Sequence, residues 1–232
     1  MKQTTPKPRR SHAPLTRSQV VAAAIGLLDH AGLDGFTMRA LAARLGTYPT
    51  TIYWHAGTRS EVLALVSDDV LALVDAPDPG TTTWQAWLAS VARSYRQVLH
   101  THPAMATYFA SRIVVSPPSL PLIENILSVL QSAGFQGERL AHAYNTYVGS
   151  LVGWVSVELA QGPVGEDWQS GFAATVQGLS DSTEFPTIAA HHAALADSVF
   201  TLRWRAGRER PMDDSFEFAL HAWLAGLDGL RV

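Results

Sequence analysis

The sequence predicts an all-α protein with an N-terminal three-helix helix-turn-helix domain, followed by a larger helical domain. Two observations support this fold class. Apolar residues recur at helical spacing along the chain, and no segment shows the strict alternation typical of a half-buried strand. Within residues 36–56, Ala42, Gly46 and Ile52 stand at helix-turn-helix spacing. There a small residue permits close packing, a glycine turns the chain and a branched residue closes the joint.

Composition restricts the class of protein. The 232 residues are 47% hydrophobic and 16% charged, which is typical of a globular chain, and we find no uninterrupted apolar run long enough to span a bilayer. The N-terminus lacks the apolar segment of a signal peptide, so we expect a cytoplasmic protein with no membrane partner. The absence of cysteine excludes disulfides, thiol catalysis and cysteine metal sites.

Charge is distributed unevenly along the chain. Residues 1–60 contain eight Lys or Arg and two acids, a net charge of +6, which leaves −9 for the remainder of a chain whose total is −3. A basic module joined to an acidic body fits a protein that contacts phosphate at one end. A solvated charged face is the alternative, and charge alone does not decide between them.

Three segments follow from these patterns. Residues 1–14 contain three prolines and four cations, which predicts a flexible basic arm that is either inert or reaches DNA. Residues 15–62 form the predicted helix-turn-helix domain, and residues 63–232 form the predicted larger helical domain.

The helices of the N-terminal domain have recognisable start and stop signals. A capping box at Thr16 to Gln19 opens the first helix, which Gly32 ends. Thr37 can cap a second helix from Met38 to Leu45. Pro49 suits the first position of a short third helix that ends before Gly57. A second capping box, Thr58 to Glu61, starts a fourth helix, which Pro77 and Pro79 end.

Beyond Thr83 the periodicity stays helical. The predicted helices are 84–102, 104–114, 120–133, 138–160, 185–206 and 213–230, separated by clusters of Gly, Pro and Ser. The segment 165–184 is rich in Gly, Ser, Asp and Thr, and we expect a mobile loop there.

The third helix and its surroundings hold the candidate DNA contacts. Thr50 and Thr51 can contact base edges, together with Arg39 and Tyr48, whereas Arg59 adds charge for phosphates. Trp54 is expected to lie in the core. The complete candidate set is Arg17, Thr37, Arg39, Tyr48, Pro49, Thr50, Thr51, Tyr53, His55 and Arg59.

The stretch GFTMRALAARLGTYPTTIYWHAGTRSEVL resembles the DNA-binding module of the TetR family of bacterial transcriptional regulators, and the similarity covers about residues 16–65. The ending Tyr53-Trp54-His55 before a newly capped helix is specific to that family. The resemblance implies an all-helical homodimer, usually a repressor, that binds a double-stranded, palindromic DNA operator. It also implies a C-terminal domain that binds a small-molecule effector and thereby alters the separation of the two DNA-reading heads.

The later sequence resembles the tetracycline-repressor branch over residues 84–96 and 215–230. The polar positions that hold the magnesium-drug chelate in that branch fall near Asp75, Val91 and Phe109. Because valine and phenylalanine cannot ligate a metal or hydrogen-bond a drug, we expect neither tetracycline nor magnesium binding, and no cofactor or metal site is predicted.

An effector pocket between helices should be apolar with a few polar groups. The aromatic content favours an aromatic or bulky apolar effector, although each candidate can instead be a core residue. The candidates are Trp87, Val91, Tyr95, Met105, Tyr108, Phe109, Ile113, Tyr144, Tyr147 and Trp168, with Asn145, Arg96 and Arg112 as polar anchors.

Helices 138–160 and 213–230 carry more apolar surface than a surface helix needs, which predicts a four-helix dimer interface; the alternative is the core of a monomer. The candidate interface residues are Leu151, Trp154, Val155, Phe216, Leu220, Trp223 and Leu227.

Two other functions compete with a ligand-controlled regulator. One is a DNA-binding regulator controlled by a protein partner. The other is a helical enzyme, but the sequence has no nucleophile elbow, phosphate loop or metal-spaced His-Glu set. We therefore predict no enzymatic activity and assign no catalytic residue.

Overall fold

The computed structural model of the protein describes residues 15–80, 82–112, 116–160 and 168–231. In these ranges the regular elements are α-helices and short 3₁₀ helices, without a strand, so the predicted fold class is confirmed. Contacts divide the chain into two units, with the boundary between Val66 and Ser67. The predicted arm, residues 1–14, lies outside the described residues.

The N-terminal unit is built from four helices, the last of which continues past Val66. They are α1 Arg17–Gly35, α2 Met38–Leu45, α3 Pro49–Ala56 and α4 Arg59–Leu71. The capping box of α1 is present: the N–H of Gln19 donates to Thr16 Oγ1 at 3.2 Å, and the N–H of Thr16 donates to Gln19 Oε1 at 2.9 Å. At Gly32 the backbone leaves helical geometry, with φ 67° and ψ −177°, so α1 kinks where its end was predicted.

The helix-turn-helix joint follows the predicted logic. Thr37 Oγ1 accepts the N–H of Ala40 at 3.1 Å and caps α2, and Gly46 ends that helix with φ 63°, a value that favours glycine. Ala42 and Ile52 are both buried between the helices. The predicted bounds of α2 and the predicted start of α3 at Pro49 are confirmed, and α3 ends before Gly57 as predicted.

The C-terminal unit contains the end of α4 and eight further described α-helices. They are α5 Trp84–Thr101, α6 Pro103–Ser111, α7 Leu120–Ser132, α8 Glu138–Glu158, α9 Trp168–Gln177, α10 Pro186–Ala190, α11 His192–Leu195 and α12 Asp213–Gly229. Two 3₁₀ turns, Pro117–Ser119 and Gly178–Asp181, precede α7 and follow α9. Helix α5 packs against α6, α7, α8 and α12, and α8 likewise packs against α5, α6, α7 and α12.

Two predictions for the C-terminal unit are wrong. The predicted helix 185–206 consists of α10, α11 and a loop, because Asp197 adopts φ 55° and its carboxylate accepts the N–H groups of Trp204 and Arg205. The predicted loop 165–184 contains α9, whose inner face is anchored by the buried Val176. Residues 161–167 lie outside the described residues. None of the described helices combines the length and apolarity needed to cross a membrane.

Candidate DNA-binding surface and effector cavity

Helix α3 has one buried side and one exposed side. Ile52 and Ala56, four residues apart, face the core. Thr50, Tyr53 and Trp54 lie on the other side and are exposed. An exposed polar and aromatic helical face of this kind is what a groove-reading helix presents.

The expectation that Trp54 belongs to the core is wrong. Its side chain is 90% exposed, and the preceding Tyr48 is 78% exposed. The reason is rotational: residues two apart on an α-helix differ by roughly 200°, so Ile52 and Trp54 must point in nearly opposite directions. Because Ile52 is fully buried, Trp54 faces outward.

The remaining predicted DNA contacts surround α3 in the sequence. Arg17 at the start of α1, Arg39 in the first turn of α2 and His55 at the end of α3 are exposed, and Thr51 and Pro49 are half-buried. These side chains are therefore accessible to different degrees. Thr37 is also exposed, and its hydroxyl caps α2.

Arg59 has an internal role that the sequence did not indicate. Its Nε donates to the carbonyl oxygen of Phe36 at 3.0 Å, and its Nη2 donates to that of Leu33 at 3.0 Å. Its guanidinium carbon also lies 5.5 Å from the centre of the Phe36 ring. The side chain thus ties the start of α4 to the turn between α1 and α2.

The C-terminal unit contains a cavity of about 380 Å³ whose wall is almost entirely apolar. It is lined by Leu71, Val74, Val91, Tyr95, Phe109, Arg112, Ser119, Leu122, Ile123, Ile126, Tyr144, Tyr147, Val148, Leu151 and Val152. This volume lies in the range of small-molecule sites, which is roughly 300–1,000 Å³. We call it the effector cavity.

Half of the predicted ligand-binding residues line the effector cavity: Val91, Tyr95, Phe109, Tyr144 and Tyr147. Of the predicted polar anchors, Arg112 also lines it. Val91 and Phe109 thus place apolar side chains in the wall at the positions that are polar in the tetracycline-repressor branch. Neither side chain can coordinate a metal or hydrogen-bond a drug.

The other candidates lie elsewhere. Trp87, Met105 and Tyr108 are buried but absent from the cavity wall, and the indole N–H of Trp87 donates to the Pro77 carbonyl oxygen at 2.7 Å. Trp168 lines a separate, shallower pocket of about 220 Å³. Ile113 lies outside the described residues.

Two predicted anchors are also wrong. Arg96 forms ion pairs with Glu158 and Asp213, so its guanidinium is engaged in the core. Asn145 is exposed on α8 and does not line the cavity.

Hydrogen bonding distinguishes the polar groups of the cavity wall. The Tyr147 hydroxyl donates to the Leu88 carbonyl oxygen at 2.7 Å, and the Ser119 hydroxyl donates to that of Ser116 at 2.8 Å. Burial raises the pKa of Tyr147, Tyr95 and Tyr144 above the ordinary value for a phenol. These phenols are therefore neutral donors at physiological pH.

Sequence reasoning missed much of the α7 and α8 wall. Leu122, Ile123 and Ile126 come from α7, and Val148 and Val152 from α8. Their helical spacing was visible, but aliphatic residues at that spacing are as typical of a solid core as of a cavity wall. The end of α4, Leu71 and Val74, was missed for the same reason.

Most of the predicted dimer residues are internal to a single chain. Val155, Phe216, Leu220 and Leu227 are buried, and Leu151 is buried at the effector cavity. Trp154 and Trp223 are half-buried and pack edge to face, with ring centres 6.0 Å apart. The five buried side chains are covered within one chain and have almost no surface left for a second copy.

A different face of the same two helices is free within the chain. We call it the small-residue face. It consists of the exposed Gly149, Gly153 and Val157 on α8 and Phe218, Ala222, Ala225, Gly226 and Gly229 on α12. A Cβ atom added at any of these four glycines would meet nothing within 4 Å, and Phe218 is 78% exposed.

Comparison with known families agrees with this architecture. The model described as bacterial regulatory proteins of the tetR family matches residues 20–66, and the tetracyclin repressor-like C-terminal domain model matches residues 76–230. The chain belongs to the tetR family. The resemblance found in the helix-turn-helix sequence is thereby confirmed, and it extends through the C-terminal unit.

Several tetR-family relatives cover much of this chain. An HTH-type transcriptional regulator of Saccharopolyspora erythraea is 32% identical over 152 residues, 66% of this chain and 64% of that protein. The HTH-type transcriptional repressor DrrR1 of Streptomyces coeruleorubidus is 31% identical over 157 residues, 67% of this chain and 58% of that protein. The chain thus spans about three fifths of the length of these curated relatives.

Among solved structures, apo ActR from Streptomyces coelicolor is 27% identical with a TM-score of 0.75, over 94% of this chain and 97% of that chain. ActR in complex with actinorhodin is also 27% identical, with a TM-score of 0.72, over 93% of this chain and 97% of that chain.

Proposed function

We propose that this tetR-family protein is a DNA-binding transcriptional regulator: a homodimeric repressor that a small, apolar or aromatic ligand releases from a palindromic operator. One observation carries the proposal. The chain combines an exposed recognition helix with an apolar cavity of ligand size, and α4 contributes residues to both units. The DNA-binding residues, the dimer and the release by ligand are parts of this proposal.

Recognition of DNA rests on α3. Thr50 and the adjacent Thr51 offer hydroxyl and methyl groups to base edges, and Tyr48 and Tyr53 offer phenol groups to bases or phosphates. Arg39 supplies positive charge, and the exposure of Trp54 adds an aromatic side chain to this surface. The side chains are those expected of a helix that enters the major groove.

The small-residue face supports dimerisation. Glycine and alanine permit close approach of two helices, and the exposed Phe218 offers an apolar side chain for burial against a second copy. A two-fold axis through this face would pair α8 and α12 of one chain with those of another. Two recognition helices related by that axis read a palindromic operator.

The link between ligand and DNA runs along α4. This helix begins at Arg59, and its last residue, Leu71, lines the effector cavity. One turn earlier, Asp68 accepts a hydrogen bond from the Ser116 hydroxyl, close in sequence to the cavity residue Ser119. A ligand that favours one position of α4 would shift the population between DNA-competent and DNA-incompetent states.

The relatives give the proposal a precedent. ActR, which shares the fold over nearly the whole chain, has been solved with actinorhodin bound, and DrrR1 is a transcriptional repressor. Control by a protein partner instead of a ligand is less consistent with an apolar cavity of ligand size, because a protein-controlled regulator has no need of one.

Selection of bound duplexes from a random pool tests the DNA-binding part. We expect a palindromic sequence to be enriched, and the Thr50→Ala protein to enrich a sequence changed at symmetric positions. The exposed Arg208 in the C-terminal unit provides a control, since Arg208→Gln should leave the selected sequence unchanged. Folded protein that enriches no sequence at moderate salt would refute DNA recognition.

Titration of the selected duplex with aromatic compounds tests release. A compound that binds the free protein and dissociates the complex supports a ligand-released repressor. Compounds that bind the protein while the DNA complex persists would contradict control by this cavity, even if DNA recognition stands.

A further inference from the structure

We infer that the ligand of the effector cavity is an acid, with a carboxylate on a compact aromatic body, and that Arg112 binds the carboxylate. The inference rests on the proposed function, because it assumes that this cavity is the ligand site, and it adds the charge and anchoring point of the ligand.

The charge of the cavity wall is the first argument. Among the described lining residues Arg112 is the sole charged side chain, and the others are apolar, phenolic or, at Ser119, a hydroxyl already donated to the backbone. Arg112 borders the apolar wall while its side chain as a whole is exposed, so a ligand carboxylate can bind the cation at the water side and keep its aromatic body in the apolar space. The same charge disfavours an ammonium ligand.

The availability of Arg112 is the second argument. Several other arginines of the C-terminal unit are paired with acids, among them Arg93 with Glu217 and Arg96 with Glu158. No ion pair of Arg112 with an acid occurs within the part of the chain that the structure describes. Its guanidinium can therefore accept a carboxylate in the two-pronged geometry that the group favours.

The position of Arg112 is set by aromatic contacts. Its guanidinium carbon lies 5.7 Å from the centre of the Tyr108 ring. The Tyr108 ring packs edge to face on the Phe109 ring, with ring centres 6.1 Å apart. The Phe109 ring centre lies 6.4 Å from that of Tyr95, and Phe109 and Tyr95 are both in the cavity wall. Arg112 and the rings of Phe109 and Tyr95 thus all border the same cavity, which suits a ligand with an aromatic body and an acidic end.

The phenols complete the site. The Tyr147 hydroxyl is already donated to a backbone carbonyl, whereas the hydroxyls of Tyr95 and Tyr144 form no hydrogen bond among residues 15–80, 82–112, 116–160 and 168–231. As neutral phenols they can donate to an anionic or polar ligand group. The cavity volume of about 380 Å³ lies near the lower end of the usual range, which favours a small fused-ring compound.

A matched pair of probes tests the inference: 2-naphthoic acid and its neutral carboxamide, 2-naphthamide, titrated calorimetrically into the full chain without DNA at pH 7.5. We expect the acid to bind on the order of 10-fold more tightly than the amide, as one charge-assisted interaction implies. Arg112→Gln should abolish the preference, Arg112→Lys should keep part of it, and the control Arg208→Gln should keep all of it.

Tyr95→Phe provides a second test, because it removes a hydroxyl and leaves the ring. We expect a several-fold loss of affinity for the acid with unchanged thermal unfolding of the free protein. An unchanged affinity would show that the Tyr95 hydroxyl does not contact the ligand. The role of Arg112 is tested independently by the Arg112 variants.

The outcomes separate this inference from the proposed function. Equal binding of acid and amide, or a preference that survives in Arg112→Gln, would overturn it while leaving an apolar effector cavity in place. Failure of both probes to bind a protein that still selects an operator would also overturn it. Preferential binding of the acid by a protein that selects no DNA would uphold the acid site and refute the regulator.

Discussion

The carboxylate of Glu158 at the end of α8 receives two hydrogen bonds from the Arg96 guanidinium on α5, at 2.8 and 2.6 Å. Glu158 is fully buried, and it also accepts the N–H of Met212 at 2.9 Å, immediately before α12. Arg96 in turn pairs with Asp213 at 2.7 Å. One buried ion pair thus connects three helices that surround the effector cavity or carry the small-residue face.

Replacing Arg96 should destabilise the C-terminal unit strongly. Arg96→Met leaves the Glu158 carboxylate buried without its main partner, a change that costs about 3–5 kcal/mol. Arg93→Met is the control on the same helix, since the Arg93–Glu217 pair is about half exposed and should contribute less than about 1 kcal/mol. Urea unfolding at one protein concentration measures both, and equal losses would contradict the distinction.

The same pair makes stability depend on acid pH. Burial by itself would raise the pKa of Glu158, but the side chains of Arg96 and His100 and the Met212 N–H outweigh burial and lower the pKa from 4.5 to about 2. A lowered folded-state pKa gives stability that is present above pH 4.5 and lost as the pH falls towards 2. Glu158→Gln should therefore show a smaller loss of unfolding free energy across this range, and an unchanged pH profile would count against it.

Arg39 and Arg59 should affect DNA binding in different ways. Arg39→Gln should weaken operator binding and lower the salt dependence by about one unit of slope, as for the loss of one phosphate contact. Arg59→Gln removes hydrogen bonds to the Leu33 and Phe36 carbonyl oxygens and should lower unfolding stability by about 1–3 kcal/mol, with the salt slope retained. A reduced slope for Arg59→Gln with intact stability would instead assign that residue to a phosphate.

Filling the effector cavity should separate ligand control from DNA binding. Val148 lies in the cavity wall on α8, and Val148→Trp adds an indole to the space a ligand would occupy. We expect operator binding to persist and ligand release to be lost, as measured by fluorescence anisotropy of labelled duplex. Val148→Ala keeps the cavity open and is the control; loss of ligand release in this variant as well would indicate general damage to the C-terminal unit.

The small-residue face should tolerate side chains in the monomer but not in the dimer. Gly153→Arg places a long cation where a second copy is proposed to pack, although an added Cβ meets nothing within 4 Å in one chain. We expect sedimentation to show a folded monomer that no longer binds a palindrome. Gly171→Arg, at an equally open helical glycine on α9, should remain dimeric. A dimer of unaltered stability in Gly153→Arg would exclude this face.

The N-terminal unit shows how far local signals reach. Thr37, Gly46 and Pro49 each specify a helix boundary through interactions with residues at most a few positions away, so the bounds of α2 and α3 were predictable. The start of α4 at Thr58 and Glu61 follows the same logic, because Glu61 Oε2 accepts the Thr58 N–H at 2.7 Å.

The C-terminal unit shows where such signals end. Asp197 interrupts a helical pattern because its carboxylate binds Arg205 and Arg210, which come later in the chain. Trp87, Val91 and Tyr95 occupy one face of α5 at four-residue spacing, yet the cavity borders Val91 and Tyr95 while Trp87 is enclosed by the core. Equal spacing predicts equal burial, and only the neighbouring helices distinguish a wall from a filled core.

By itself the sequence determined the helical class, the helix-turn-helix and its caps, and the concentration of positive charge at the N-terminal end, because each depends on residue type or on neighbours along one helix. Tertiary structure alone decided that Arg59 is bonded within its unit, that Arg112 stands beside the cavity, and that glycines rather than leucines form the free face of α8 and α12. Those outcomes depend on which helices pack together. Apolar periodicity predicts which face of a helix is buried, but it does not predict which other helix packs against that face.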